Sequence, residues 1–337
     1  MTFSWKQAVK SAIIHSGTMR LCSALRPPSA AILCYHSVSG DREGQGDCIS
    51  PGITVETNLF DEHMRILRKN YHPVTLDDIA DWLEHKKPIP RRAVAVTFDD
   101  GFADNYHLAA SIMEKYGIRG AIYLAVDAVR RQELPWYCRL HYLFHKDKSE
   151  PQSEDCGCTR NLPVEVLTES DAERFYAKSC VVLEEEQLEQ RITQIESQFG
   201  HKLDLSKSPG MMTFEQAKEL IQRGHIIGSH TLSHGTAGLL TAKQLHREIG
   251  EANQLLEREL GVPMRHFSYP HPYQIDPQWN EDSLKETQKA GYKTAVLTRS
   301  GLVKQGANPL LLPRLYIGNE SAGQFRWKLE SAFAGLY

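Results

Sequence analysis

The sequence predicts an α/β chain built on a parallel sheet, either a barrel or a doubly wound arrangement, with a helical insertion. Three observations carry this expectation. Short apolar runs recur and end in histidine, aspartate or serine, amphipathic segments separate them, and one stretch from about 130 to 210 breaks the alternation. Repeated strand-then-helix order predicts a parallel sheet with its chemically active residues at the C-terminal ends of the strands.

Taken in order, Ala31 to Tyr35, Ala93 to Phe98, Ala121 to Val126, Ile226 to Ser229, His266 to Tyr269 and Thr294 to Leu297 read as strands buried on both faces, because they are continuously apolar rather than alternating. Leu59 to Lys69, Leu76 to Glu84, Asn105 to Tyr116, Thr213 to Arg223, Ala242 to Leu260 and Asp282 to Ala290 read as helices, several opened by Asp or Thr caps. In the insertion, Trp136 and further aromatics lead into a stretch rich in Glu, Gln and Ser, of which Glu169 to Phe199 has helical periodicity. A small helical lid is expected there. The chain then divides into an N-terminal helical segment (1–29), a main domain (30–320) interrupted at about 130–210, and a C-terminal helix (321–337).

Of 337 residues, 41% are hydrophobic and 24% charged, and 39 basic against 42 acidic side chains leave a formal charge of −3. That is an ordinary globular balance with no basic excess to attract nucleic acid. Seven cysteines, odd in number and without framework spacing, predict reduced thiols and a cytoplasmic location. Cys156 and Cys158 form C-x-C, one residue short of the zinc C-x-x-C, and read as part of a surface loop. No run approaches the ~18 to 20 apolar residues of a membrane span. The apolar residues of the N-terminus are interrupted by Gln7, Ser11, His15 and Ser16, so export is not expected. Phe3, Trp5, Val9, Ile13 and Ile14 with Lys6, Lys10 and Arg20 fit either a helix packed on the domain or one in peripheral contact with a membrane through residues 1–25.

Four clusters carry chemistry. Thr97-Phe98-Asp99-Asp100-Gly101 sets two carboxylates directly after a buried strand. Neighbouring side chains on a strand face opposite ways, so both reach one site only if the chain turns there, which Gly101 permits. The competing use is a cap for the following helix. His230-Thr231-Leu232-Ser233-His234 places two imidazoles at H-x-x-x-H spacing, again after a strand. Together the two clusters supply one Asp and two His as metal ligands, with open positions for water and substrate and a second Asp free to act as a base. The third cluster is Ile32 to Val38, a strand ending in His36; the fourth is Phe267-Ser268-Tyr269-Pro270-His271-Pro272, followed later by Leu312-Pro313-Arg314.

In this order T-F-D-D-G, H-T-x-x-H, F-S-Y-P and L-P-R resemble the motifs of the polysaccharide deacetylase family (NodB homology domain, carbohydrate esterase 4), over most of residues 30–320 apart from the insertion. Tyr35-His36-Ser37-Val38 further resembles the subgroup with an N-terminal Y-H motif. The resemblance implies a distorted (β/α) barrel with fewer than eight repeats. It also implies a metal-dependent hydrolase that removes an N-acetyl group from an amino sugar in a polysaccharide, oligosaccharide or lipid-linked glycan. Asp100, His230 and His234 would hold one divalent ion, Zn2+ with Co2+ or Ni2+ as alternatives. Asp99 would take a proton from water, and Tyr269, Pro270 and His271 would shape the substrate and oxyanion site through the His271 N–H. His36 would protonate the leaving amine, with His271 as the competing acid.

Where family members carry R-x-P-Y-G this chain has Ser268-Tyr269-Pro270-His271-Pro272, so the motif arginine is missing and Arg314 is the candidate partner that keeps Asp99 ionised. Pro272 also restricts His271. Trp136, Tyr137, Tyr142 and Phe144 suit either the core of the lid or stacking on sugar faces. Two other functions share these residues: hydrolysis of a non-sugar amide or cyclic imide on the same fold, and non-catalytic glycan binding.

Overall fold

The computed structural model describes residues 13, 16–39, 48–145, 169–183, 185–199 and 208–336. Its strands are β1 (Ser29–Tyr35), β2 (Ser37–Ser39), β3 (Thr54–Glu56), β4 (His72–Pro73), β5 (Ala93–Phe98), β6 (Ala121–Leu124), β7 (Ile226–Ser229), β8 (His266–Ser268), β9 (Thr294–Val296), β10 (Val303–Lys304) and β11 (Leu315–Tyr316). β1, β5, β6, β7, β8 and β9 lie side by side in that order, every neighbour parallel. β11 pairs parallel with the outer side of β1, and Leu312 just before it bridges to Val296 of β9. Leu312 N–H donates to the Ala295 carbonyl at 2.9 Å and Ile317 N–H to the Cys34 carbonyl at 2.9 Å. The segment from Leu312 to Tyr316 is thus a short seventh stave between the two ends of the sheet. The barrel arrangement holds, with fewer than eight staves, and the doubly wound alternative falls.

Strand alternation sorts the side chains into two sets. Ala30, Ile32, Ala93, Ala95, Ala121, Tyr123, Val296 and Leu312 pack together inside the barrel. Their neighbours Ala31, Leu33, Val94, Val96, Ile122, Phe267 and Leu315 belong to the larger core between strands and helices. Both sets are buried, which is why the strands read as unbroken apolar runs. At the C-terminal ends of the strands the inward positions turn polar: Cys34, Thr97, Ser268 and Arg314 are all buried.

Helices occupy the expected segments, and capping boxes at Thr75–Asp78, Thr213–Gln216 and Thr241–Gln244 open three of them. Two expectations need correction. The strand beginning at Ala121 stops at Leu124, because Val126 N–H and Asp127 N–H donate to Thr231 and Leu232 carbonyls at 3.1 and 2.9 Å instead of to a sheet neighbour, and a helix starts (Val126–Arg131). The helices expected at Asn105 and Ala242 contain π-helical segments, Asn105–Ala109 and His246–Glu251.

In the insertion, helices Trp136–His145 and Glu169–Cys180 form a wall over one side of the barrel mouth, and helix Glu185–Phe199 packs on Trp136–His145. Phe3, Trp5, Lys6, Val9, Lys10 and Ile14 of the expected membrane-contact helix, and Cys156 and Cys158, lie outside the described residues. Cys22, Cys34, Cys138 and Cys180 are free thiols. No helix among the described residues is long and apolar enough to cross a membrane. The C-terminal helix runs Ala322–Ala334 and packs on helix Thr57–Asn70.

His63 joins these two helices to the barrel. It is buried, its ring stacks on Phe325 with centroids 4.1 Å apart, Nε2 donates to the Glu320 carbonyl at 2.8 Å, and Nδ1 accepts from the Tyr35 hydroxyl at 3.2 Å. Both nitrogens are used as in a neutral imidazole. Burial depresses its pKa to about 4 from 6.5, so the folded protein binds fewer protons than the unfolded chain. The associated stability is complete above pH 6.5 and is lost on acidification toward pH 4, a span worth about 3 kcal/mol. Urea unfolding from pH 7 to 4 is expected to show wild type losing about that much more stability than His63→Gln. Parallel pH profiles for the two proteins would contradict this role.

Candidate active site

Asp99 continues the inward set of β5. Asp100 would point outward, but left-handed backbone at Asp100 (φ 74°) and Gly101 (φ 83°) turns the chain so that both carboxylates face the barrel mouth. Aspartate tolerates this conformation better than most side chains. At Gly101 it is obligatory twice over, since a Cβ there would lie 2.6 Å from Leu124 Cδ2.

His230 and His234 follow β7. His230 Nδ1 donates to the Ser268 carbonyl at 2.8 Å, which fixes the tautomer and leaves the Nε2 lone pair facing Asp100 Oδ1 at 3.6 Å. Burial pushes its pKa down to about 4, so this imidazole is neutral near pH 7. His234 Nε2 lies 3.2 Å from the same oxygen. Both histidines sit on a loop with left-handed residues at Thr231 and His234. That loop is clamped by Glu248, whose carboxylate accepts from Leu232 N–H (3.1 Å), Ser233 N–H (2.9 Å) and the Ser233 hydroxyl (2.7 Å). Sequence reasoning missed Glu248, because one glutamate in an amphipathic helix carries no signal of what it will face.

The donor set fits a divalent cation. Burial opposes ionisation of Asp100, but the neighbouring His234, His36 and His230 outweigh it and hold its pKa below the usual carboxylate value. Both Asp100 oxygens are nevertheless buried without a hydrogen-bond donor among the described residues. An ionised, buried carboxylate facing two ring nitrogens with no donor satisfying it is the arrangement a metal completes. Asp100, His230 and His234 indeed bring one ligand atom each within 4.8 Å of one another.

Asp99 is held differently. Arg314, fully buried in the closing stave, donates from Nη1 to Oδ1 at 2.7 Å and from Nη2 to Oδ2 at 2.6 Å. Burial alone would raise the Asp99 pKa; the charge of Arg314 reverses this and holds the carboxyl ionised well below the usual range. The pairing expected for Arg314 is therefore present. Cys34, not anticipated, lies beneath it with Sγ 3.6 Å from Asp99 Oδ2.

His36 Nε2 stands 4.0 Å from Asp99 Oδ2, and its Nδ1 is buried without a partner. His271 lines the same cavity, but its ring nitrogens face Thr298 Oγ1 (2.8 Å) and Asp276 Oδ1 (3.1 Å). Its backbone (φ −143°, ψ 57°) is extended in φ and bent in ψ, and its N–H has no backbone partner among the described residues. Pro270 and Tyr269 are buried behind it. The Tyr269 ring belongs to the outward set of β8 and its hydroxyl bonds Thr287 Oγ1 at 2.9 Å, so the side chain points away from the cavity.

His36, Asp99, Asp100, His230, His234 and His271 form the floor of a cavity of about 810 Å³. Its wall includes Tyr137, whose ring packs 4.7 Å from that of His234, together with His141, His145, Glu173 and Tyr273. The aromatic reading of the insertion thus divides: Trp136, Tyr142 and Phe144 are core, and Tyr137 lines the cavity. His141 and His145 repeat the H-x-x-x-H spacing of His230 and His234, a signal legible in the sequence but not used.

Residues 165–295, which carry His230, His234 and the Ser268-Tyr269-Pro270 turn, match the family described as polysaccharide deacetylase. Over 319 residues the chain is 23% identical to the Bacillus subtilis (strain 168) protein named "Putative polysaccharide deacetylase YxkH", covering 94% of this chain and 82% of that one. The fold is similar to that of Streptococcus pyogenes deacetylase PplD, solved in complex with acetate (TM-score 0.60, 17% identity, 90% of this chain and 99% of that one). It is also similar to IcaB from Ammonifex degensii (TM-score 0.57, 17% identity, 90% and 98%). The chain is thus similar to polysaccharide deacetylases in sequence over residues 165–295 and in fold over most of its length.

Removing the cation of the Arg314 pair leaves Asp99 buried and unbalanced. Arg314→Met is expected to cost about 3–5 kcal/mol in denaturant unfolding. Adding Asp99→Asn to that variant should recover part of it, because the uncompensated charge is then gone. A loss below about 1 kcal/mol for Arg314→Met would mean that the pair is not what balances Asp99.

Proposed function

We propose that this protein is a metal-dependent carbohydrate N-deacetylase, hydrolysing the acetamido C–N bond of an amino sugar in a glycan. The observation that carries this is the pair of buried carboxylates with separate partners: Asp100 with two histidines and no donor, Asp99 with Arg314 and a face toward the cavity. The likeness of residues 165–295 to the polysaccharide deacetylase family and the acetate in the PplD complex support acetyl as the acyl group.

Asp100, His230 and His234 would hold the divalent ion, Zn2+ with Co2+ or Ni2+ as alternatives. Such an ion supplies Lewis acidity toward an acyl oxygen and a lowered pKa for water. Asp99, ionised at working pH, accepts the proton of the attacking water through the Oδ2 side that faces His36 and His230. The His271 N–H, without a backbone partner among the described residues, would donate to the oxygen that gains negative charge as water adds to the acyl carbon. His36 gives a proton to the nitrogen as the C–N bond breaks, yielding acetate and the free amine. Its Nδ1 lacks a partner, whereas both His271 nitrogens are engaged, and this favours His36 over His271 as the acid. The likeness of Tyr35-His36 to the Y-H subgroup supports the same assignment. A cytoplasmic location belongs to this proposal and rests on the free thiols of Cys22, Cys34, Cys138 and Cys180 among the described residues.

The test combines metal content with acetate release from N-acetylglucosamine oligomers. His230→Ala is expected to hold one metal equivalent less than wild type and to lose activity. Asp99→Asn should keep the metal of wild type and release acetate about 10²-fold more slowly or worse. A wild type that takes up no metal after reconstitution, or a fully active His230→Ala, would overturn the proposal.

A further inference from the structure

The wall of the cavity carries a second group of ligands that the reaction does not use. His141 and His145 sit one turn apart on helix Trp136–His145, with ring centroids 4.2 Å apart, and Glu173 reaches them from helix Glu169–Cys180. His141 Nδ1 lies 3.2 Å from Glu173 Oε1, and His145 Nε2 lies 3.0 Å from Oε2. Ligand atoms about 2.0–2.2 Å from a tetrahedral zinc lie roughly 3.3 Å apart. The two imidazoles approach Glu173 this closely at its two different oxygens, and one ligand atom from each of the three residues lies within 4.8 Å of the others, as in the Asp100 triad.

Two features separate this group from a chance surface cluster. Glu173 is buried, and the Tyr273 hydroxyl donates to its Oε1 at 2.6 Å, so a neighbouring residue orients the carboxylate as residues behind metal ligands do. Tyr273 is held in left-handed backbone (φ 52°) while it does so. His141, His145 and Glu173 also line the cavity, so a bound ion would have an open side toward it.

We propose that His141, His145 and Glu173 form a second divalent-cation site of the zinc class, one that ties helices Trp136–His145 and Glu169–Cys180 together at the edge of the active-site cavity. The two histidines arrive from one helix at i, i+4 and the carboxylate from another, the donor set of open zinc sites. The ligands are 28 residues apart in sequence, so the ion would close a long excursion of chain. The site is independent of the deacetylase reading.

The experiment is zinc loading of chelator-stripped protein, followed by desalting and metal analysis. Wild type is expected to retain two equivalents, Glu173→Gln one, and His230→Ala one. Glu173→Gln preserves shape and an acceptor for the Tyr273 hydroxyl, and thermal melting of the metal-free proteins checks that it folds. If wild type and Glu173→Gln hold the same single equivalent and His230→Ala holds none, the second site is overturned and the Asp100 triad stands. If Glu173→Gln loses an equivalent while His230→Ala loses none, the second site stands and the Asp100 triad falls. Cobalt(II) titration of His230→Ala asks the question without altering the cluster: visible absorption of four-coordinate cobalt is expected, and its absence overturns the proposal.

Discussion

The structure depends on one buried guanidinium. Arg314 uses all five of its N–H donors: Nε to the Leu297 carbonyl, Nη1 to Thr97 Oγ1 and Asp99 Oδ1, Nη2 to Asp99 Oδ2 and Ser268 Oγ. Its partners come from β5, β8 and the end of β9, and it stands itself on the stave that closes the barrel. A buried ion pair contributes little net stability compared with an apolar filling. Its effect is selective: only the closed barrel satisfies the carboxylate at the floor of the site, so closure and the ionised state of Asp99 are one event.

Around that centre, position along a strand decides role. Inward residues of the staves become Cys34, His36, Thr97, Asp99, His230 and Ser268, and outward ones pack against helices. Asp100 belongs to the site only because the chain reverses in handedness at one residue. Tyr269, with no such reversal, is turned away although it lies beside Ser268 in sequence. A strand end thus offers one side chain per two residues to a site, and a second carboxylate costs a left-handed turn with a glycine behind it.

Much of this was legible in the sequence. The strand–helix alternation, the strand-end positions of Asp99, Asp100, His230 and His234, and the part of Arg314 in replacing a missing motif arginine are local signals joined by a resemblance. Four things were not. The facing of Tyr269 depends on where β8 enters the alternation, which a three-residue strand does not disclose. Glu248 acts on the histidine loop from a π-helical segment that propensity does not foretell. Glu173 lies far in sequence from His141 and His145, so their meeting is set by tertiary packing. The end of β6 at Leu124 belongs with these, since its backbone is claimed by carbonyls of the His230 loop.

Closure by the Leu312–Tyr316 segment also has a consequence for biosynthesis. Asp99 leaves the ribosome early and its counter-charge follows 215 residues later. At roughly 5–20 residues per second that is an interval of some tens of seconds or less. During it the emerging barrel has a missing stave, two unpaired sheet edges and a carboxylate with no cation to meet it. The nascent protein must keep that gap wet until the Leu312–Tyr316 segment slides in, and the emergence of that segment sets the earliest moment at which the site can become dry.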